Sequence, residues 1–325
     1  MIISKTPVRI SFVGGGTDFE DFYRRYPGRV LSTSINKYFY VTVNPRFDDM
    51  IKLSYSEIEL VDHCSQIKHP LVKFSLEKLG IKKGVDIASL ADIPAQKTGL
   101  GLGSSSSFTV GLLHSLHAFL GDNVSADRIA KEACEIEIDK NGAPIGKQDQ
   151  YAAAFGGLNM INFNCDGSIT VEPINLSPNI KEDFQNHLLM FFTGKERSAN
   201  LILSEQKQNI TNKFEFLKKM SDSVPVFKNA LEKGDFEKLG GILHQNWLLK
   251  KELASGISNS HIDQMYQKAL TAGAYGGKIL GAGGGGFLLV LAPPKKHQSI
   301  KAALSEYKNV SFRFSEGGSS IVLNH

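Results

Sequence analysis

Two hydrophobic periods divide the chain. Near the N-terminus the period is two: Val8, Ile10 and Phe12 alternate with Arg9, Ser11 and Val13, so a strand here sets Arg9 and Ser11 opposite the aliphatic residues. Further strand-like runs lie at residues 30–43, 51–55 and 85–90. From Phe108 to Phe155 the pattern becomes helical. Phe108, Leu112, Leu113, Leu116, Phe119 and Leu120 recur at three- and four-residue steps and predict one buried stripe, which Gly121, Asp122 and Asn123 bring to an end. A hairpin is predicted over residues 158–171. The apolar run from Leu188 to Phe192 then opens a second unit of polar-faced helices and closing strands, so the chain is read as two domains, residues 1–184 and 185–325.

Between a strand-like run and the apolar helix lies KTGLGLGSSSSF, Lys97 to Phe108. Gly99, Gly101 and Gly103, with Leu102 between the last two, allow the backbone to approach a phosphate and turn N–H groups toward it. The first turn of the following helix adds unsatisfied donors and partial positive charge. Ser104, Ser105, Ser106 and Ser107 stand at the helix entrance, where a serine can cap the helix, bond a phosphate oxygen or ligate Mg²⁺; the sequence does not distribute these roles among the four. A flexible Gly/Ser linker is the plain alternative, but linkers do not usually punctuate a strong apolar helix in this way.

Two other phosphate motifs are excluded. The Gly-Lys pairs run into Glu196, Gln148 or Ile279 and not into Ser or Thr, so there is no Walker-type loop. Gly281, Gly283 and Gly286 satisfy GxGxxG, yet the strand-like FLLVLAPP follows where a dinucleotide fold needs a helix.

Composition narrows the class. With 325 residues, 42% of them hydrophobic, the chain can bury a substantial core. A formal net charge of +4, with lysines and arginines dispersed and not interleaved with aromatics, gives no nucleic-acid footprint. Cys64, Cys134 and Cys165 are odd in number and lack CxxC spacing, which indicates neither a disulfide framework nor a zinc site. The N-terminal MIISKTPVRISF lacks the apolar core of a signal peptide, and no apolar run approaches the ~18 residues of a membrane span. The expectation is a soluble, cytoplasmic protein without a membrane partner.

Four segments then occur in a telling order: TPVRISFVGGGTD, GLGLGSSSS, EIEIDKNGAPIGKQDQYAAAFGG and KILGAGGGGFLLVL, together reaching from residue 6 to residue 291. They resemble the three signature regions and the catalytic helix of the GHMP small-molecule kinases. GGGTD in place of Gly-Glu-His-Thr-Asp, VLSTSINKYFYVTV and GKQDQYAAAFGGLN are similar to the sugar-1-kinase branch of that family. The resemblance implies an α+β fold: an N-terminal ribosomal-protein-like α/β domain with a left-handed crossover, a ferredoxin-like C-terminal domain, and an active site between them.

It also implies residue roles. Asp149 matches the catalytic aspartate that orients the acceptor hydroxyl and accepts its proton; by local pattern alone it is equally a carboxylate favoured at a helix N-terminus. Arg9 matches the basic residue after the family's Ala-Pro-Gly, here Thr6-Pro7-Val8, with Asp149 as its expected partner. Glu137 matches the Mg²⁺-binding glutamate, with Ser105 beside it; Glu135 is the rival, pointing elsewhere on the helix. Gly14, Gly15, Gly16, Thr17 and Asp18 are expected from the resemblance to line the sugar site, although by local pattern alone a glycine turn capped by Asp18 is the favoured reading. Gly281 to Gly286 are expected to pack beside the phosphate loop. For a substrate phosphate, Lys195 and Arg197 are the first candidates and Arg24, Arg25 and Lys37 the others. The implied activity is ATP-dependent, Mg²⁺-requiring phosphorylation of the anomeric hydroxyl of a heptose 7-phosphate, giving the 1,7-bisphosphate for nucleotide-activated heptose synthesis. A fucokinase-like enzyme acting on an unphosphorylated sugar and a catalytically silent sugar and nucleotide sensor of the same fold stay open as alternatives.

Overall fold

A computed structural model describes residues 1–93, 100–194 and 199–325. The first sheet contains β1 (Ile2–Val13), β2 (Gly28–Pro45), β3 (Ile51–Ser54), β4 (Ile58–Val61), β5 (Val85–Ala91), β6 (Leu158–Phe163) and β7 (Ile169–Pro173). The second contains β8 (Leu188–Phe192), β9 (Gly276–Ile279), β10 (Phe287–Leu291) and β11 (Lys308–Asn309), while the last strand, β12 (Ser320–Asn324), returns to the first.

The order in the first sheet is β12-β1-β2-β5-β3-β4, with β6 and β7 attached at β2. At 18 residues, β2 is long enough to serve three partners. One edge pairs with β1; on the other, Gly28–Thr33 pairs with β6 and Phe39–Pro45 with β5. The helix Ser104–Phe119 packs across β1 and β2. Gly111 permits this approach, because a Cβ there would sit 2.7 Å from the Thr6 hydroxyl. Phe108, Leu112, Leu113 and Leu116 are buried as the periodicity predicts, whereas Leu120 is 46% exposed, since the helix closes just before it and Gly121 turns the chain away at φ 80°.

The second sheet runs β11-β8-β10-β9 with every adjacent pair antiparallel. In chain order this is 4-1-3-2, the ferredoxin-like arrangement. Its first crossover is enlarged to four helices, Ala199–Gln208, Phe214–Glu232, Phe236–Lys251 and Ser260–Thr271. Phe214–Glu232 packs against β1 and β2 and Phe236–Lys251 against β1, so the alternating faces of β1 are both covered. Phe12 packs at a tilt against Phe184 and stacks on Phe227, at 5.0 and 5.8 Å between ring centroids. The opposite face, with Arg9 and Ser11, is equally buried, and that enclosed polar face becomes the site.

The division expected at residue 185 falls just ahead of β8, but β12 pairs with β1 from Ile2↔Asn324 to Lys5↔Ser320, so the end of the chain belongs by hydrogen bonding to the first sheet. Among the described residues no helix is long and apolar enough to cross a membrane.

Candidate active site

Arg9 is aimed by a fault in its own strand. The β1–β2 register slips between Pro7 and Val8, where Pro7 has no N–H to donate, and the local irregularity re-phases the ladder just before Arg9. The Arg9 backbone N–H donates to Leu102 O at 3.0 Å and so anchors the glycine loop. Its guanidinium makes a two-pronged bond to Asp149, Nε to Oδ1 at 2.8 Å and Nη2 to Oδ2 at 2.7 Å, while Nη1 donates to Gly101 O at 2.7 Å. The Arg9 side chain is only 4% exposed; Asp149, in the first turn of the helix Gln148–Phe155, is 22% exposed and remains reachable.

Glu137 is reached through a change of helix type. The α-helix Ala126–Cys134 widens into a π-helical stretch over Glu135–Lys140, a deviation that shifts side-chain phase and often marks functional positions. Glu137 is 1% exposed and its carboxylate accepts from Ser105 Oγ, Ser106 Oγ and Gln150 Nε2, each at 2.6 Å. Burial pushes its carboxyl above the usual carboxylate range; the three hydrogen bonds pull the other way, and the charge of Asp149 adds to the rise. Glu135 points outward to Lys78 at 2.6 Å.

The helix behind the loop starts at Ser104, with Gly103 at φ 72° as its cap and no side-chain cap. None of the four serines therefore serves as the cap, and the first backbone N–H groups of the helix lack intrahelical partners. Ser104 Oγ is buried without a hydrogen-bond partner. Gly101 and Gly281 interlock: a Cβ on Gly101 would lie 2.4 Å from Leu280 O, and one on Gly281 would lie 2.3 Å from Gly101 Cα. Gly286 lies against Leu100 O in the same way. The late glycine run is thus the wall that shapes the loop, and β10 follows it, as the rejection of a dinucleotide motif requires.

Two cavities meet at Arg9 and Asp149. One, of about 370 Å³, is lined by Ser104, Ser105, Ser106, Glu137 and Asn141. The other, smaller cavity is lined by Ser11, Gly15, Gly16, Asp18, Gln148 and Lys250. Arg9, Asp149, Gly281 and Ala282 border both. Asp18 is 2% exposed and accepts from the Gly16 and Gln148 backbone N–H groups at 3.0 and 3.1 Å and from Gln148 Nε2 at 3.1 Å. Burial, and then the charge of Asp149, push its carboxyl upward. Gln148 Oε1 and Gln206 Nε2 are buried without partners at this cavity, one acceptor and one donor left over.

Several expected contacts are not made. Thr17 is fully buried and spends its hydroxyl on backbone, near Gly14 O and Arg29 O at 2.8 Å each and accepting from Arg29 N at 2.9 Å. Gly14 lies beneath the turn, where a Cβ would meet Arg29 O at 2.0 Å, and does not line the cavity. Ser107 donates to Pro7 O at 2.9 Å, and the Leu102 side chain lies in the core, so neither lines the loop cavity. Arg24 pairs with Glu20, Arg25 lies over the Phe214 ring, and Lys37 lines a separate cavity with Arg313. Gly99, Lys195 and Arg197 lie outside the described residues.

Other residues enter that the sequence reading passed over. Gln148 and Gln150 flank Asp149 in QDQ, and their helical spacing was a readable signal: one reaches Asp18, the other Glu137. Lys250 gave no signal, standing beside Lys251 on a polar-faced helix. It is 5% exposed, lines the smaller cavity and donates to Gly281 O. Burial and the nearby Arg9 lower its pKa to about 8, against the pull of Asp18 and Asp149. Lys278, on β9, donates to Ser11 O at 2.9 Å, and burial pushes its pKa well down.

The glycine cradle, the enclosed carboxylates and the two-sheet fold define a small-molecule phosphotransferase, and the chain belongs to the GHMP kinases: the N terminal domain of that family matches residues 49–157 and its C terminal domain residues 227–310. The chain is 32% identical to the D-glycero-alpha-D-manno-heptose 7-phosphate kinase of Campylobacter jejuni, across 98% of this chain and 97% of that one. It is 26% identical to the galactokinase of Pyrococcus furiosus, covering 94% and 93%. A crystal structure described as a D-glycero-D-manno-heptose 1-phosphate kinase from Bacteriodes thetaiotaomicron superposes with a TM-score of 0.83 at 26% identity, covering 100% of both chains.

Proposed function

We propose that this protein is an ATP-dependent sugar kinase that phosphorylates the anomeric hydroxyl of D-glycero-D-manno-heptose 7-phosphate, giving the 1,7-bisphosphate for nucleotide-activated heptose synthesis. The observation that carries the reading is the Arg9–Asp149 pair at the meeting point of the two cavities. The serine-bordered cavity suits a nucleotide triphosphate tail, with helix N–H groups facing it. Among the described residues the smaller cavity offers one unpaired donor and one unpaired acceptor, which suits a polyhydroxylated ring.

In this reading the acceptor hydroxyl donates a hydrogen bond to Asp149. A bond forms from its oxygen to the γ-phosphorus, the bond to the bridging oxygen of the leaving ADP breaks, and the hydroxyl proton passes to the Asp149 carboxylate. Arg9 fixes the direction of that carboxylate and ties it to the loop through Gly101 O. Gly15 and Gly16 leave room for the sugar, and Asp18 receives its hydroxyls. Glu137 and Ser105 stand side by side at the phosphate cavity, and Mg²⁺ fits this pair because it keeps several waters and needs few protein ligands. When bound, Mg²⁺ neutralises phosphate charge; the chain's own contribution is to hold Glu137 rigid through Ser106 and Gln150. The use of ATP supports action in the cytoplasm, with residues 1–184 and 185–325 as the two working domains apart from β12, which returns to the sheet of the first.

The heptose 7-phosphate rests on the Campylobacter relative, while the Bacteriodes protein is described by a different phosphate position. A panel of heptose 7-phosphate, heptose 1-phosphate, L-fucose and galactose, read by ³¹P NMR of the product, tests it. The reading expects a new anomeric phosphate from heptose 7-phosphate at a kcat/KM at least about tenfold above the others; preferential turnover of L-fucose contradicts it. Arg197→Ala is expected to raise KM for the phosphorylated heptose far more than for ATP, and equal effects would remove Arg197 as the phosphate reader.

A further inference from the structure

Lys250 is a buried cation with no carboxylate partner within salt-bridge reach among the described residues. Its Nζ has three N–H groups, and one backbone acceptor, Gly281 O, engages it. That acceptor borders both cavities, so the ammonium sits on the acceptor side of the transfer point. A Cβ placed on Gly15 would be 3.9 Å from Lys250 Nζ, from Gln148 Nε2 and from Ser11 Oγ alike, so three polar groups converge on one open spot beside the glycine turn. Around it stand Arg9 from β1, Asp18 from the turn, Asp149 from its helix and Lys278 from β9.

Burying an ammonium without an anion is costly, and a group retained under that cost needs a ligand that supplies the charge. Arg9 is committed elsewhere: Nε and Nη2 go to Asp149 and Nη1 to Gly101 O. Among the described residues Lys250 keeps donors unspent. We infer that Lys250, reaching across from the second domain, donates to the equatorial oxygens of the phosphoryl group as it passes from nucleotide to sugar, an inference that rests on the kinase reading. Its proton stays on Nζ throughout. The γ-phosphorus leaves the bridging oxygen of ADP for the acceptor oxygen, whose proton goes to Asp149, and the spreading negative charge meets a preplaced ammonium. Because Lys250 belongs to the helix Phe236–Lys251 and the loop to the first domain, this donor is in place only when both domains frame the site.

Lys250→Met and Lys250→Gln test this with ATP, Mg²⁺ and heptose 7-phosphate. Loss of a donor used in the transition state is expected to lower kcat by about 10²–10³-fold, with KM for sugar and for ATP changed less than about threefold. Wild-type kcat/KM, which reports the free enzyme, should decline as pH rises past about 8, and that alkaline limb should vanish in both variants. A kcat within about twofold of wild type, or a rise in sugar KM at unchanged kcat, overturns the inference. If a variant does not fold, ¹⁵N-lysine NMR of the wild type gives the answer. The Lys250 Nζ pKa should rise by at least about one unit when ADP, aluminium fluoride and the sugar bind, and an unmoved pKa overturns the role. The two readings fail differently. Absence of sugar-dependent turnover in the wild type removes the kinase reading and this inference together, whereas equal turnover in wild type and variants removes only this inference.

Discussion

Arg9 and Asp149 lie 140 positions apart in the chain and meet in a two-pronged ion pair that also grips the glycine loop through Gly101 O. A fork of this kind transmits position: the strand that carries Arg9 sets the carboxylate and the loop with one side chain. Arg9→Lys keeps the charge but replaces a planar fork by a single ammonium, which cannot hold both carboxylate oxygens and the carbonyl. The expected result is a kcat lower by about 10–100-fold with the fold intact, measured by steady-state kinetics and thermal unfolding. An unchanged kcat would mean that the charge alone matters.

Glu137 holds a carboxylate almost fully out of water, so it serves function at a cost to the apo fold. Glu137→Gln removes the charge while leaving an amide that can still bond Ser105, Ser106 and Gln150. Unfolding of the nucleotide-free protein at neutral pH should move up by about 1–2 °C, as roughly 1 kcal/mol of desolvation is relieved. The Mg²⁺ concentration for half-maximal rate should rise by at least about tenfold. A lower unfolding temperature would show that the carboxylate network stabilises the fold.

Lys250 gives stability a pH dependence of the opposite sense. Its pKa is depressed to about 8 in the folded protein from 10.5, so the folded state disfavours the ammonium that the unfolded chain carries freely. The penalty is fully present below about 8 and disappears as pH rises through 8 to 10.5. Lys250→Met should therefore be more stable than wild type at pH 7, by at most roughly 3 kcal/mol, with the gap closing by pH 10.5. Denaturant titrations at a series of pH values read this directly, and a gap that widens with pH would refute it.

Gly101 lies at φ 82° against Leu280 O, so the loop and the late glycine run fit only without side chains. Gly101→Ala adds both backbone strain and a clash, expected to cost about 2–4 kcal/mol and to lower the unfolding temperature by about 3–6 °C. Nucleotide affinity, measured by calorimetry, should fall by at least about tenfold because the cradle itself moves.

The loop-to-helix junction was legible because glycines followed by an apolar stripe have few structural solutions, and Arg9, Glu137 and Asp149 stood out because their residue types sit in recognisable segments. Ser107 and Thr17 were misplaced for a common reason. A hydroxyl spent on Pro7 O or on the Arg29 backbone at the start of β2 looks the same in sequence as one facing a ligand. Lys250 and Lys251 are neighbours of one type, and only packing buries the first while the second pairs with Asp263 at 3.3 Å. The pairing of β12 with β1 was invisible because it joins the two ends of the chain. The π-helical stretch that carries Glu137 leaves no periodic trace within six residues.

The account turns on Asp149 receiving the acceptor hydroxyl. Its most direct test is a single-turnover experiment with wild type and Asp149→Asn, following ADP release and the ³¹P spectrum with heptose 7-phosphate. The prediction is one anomeric phosphate formed per ADP in the wild type, and a transfer rate lower by about 10³-fold or more in Asp149→Asn at unchanged nucleotide affinity. Transfer in Asp149→Asn at the wild-type rate would contradict it.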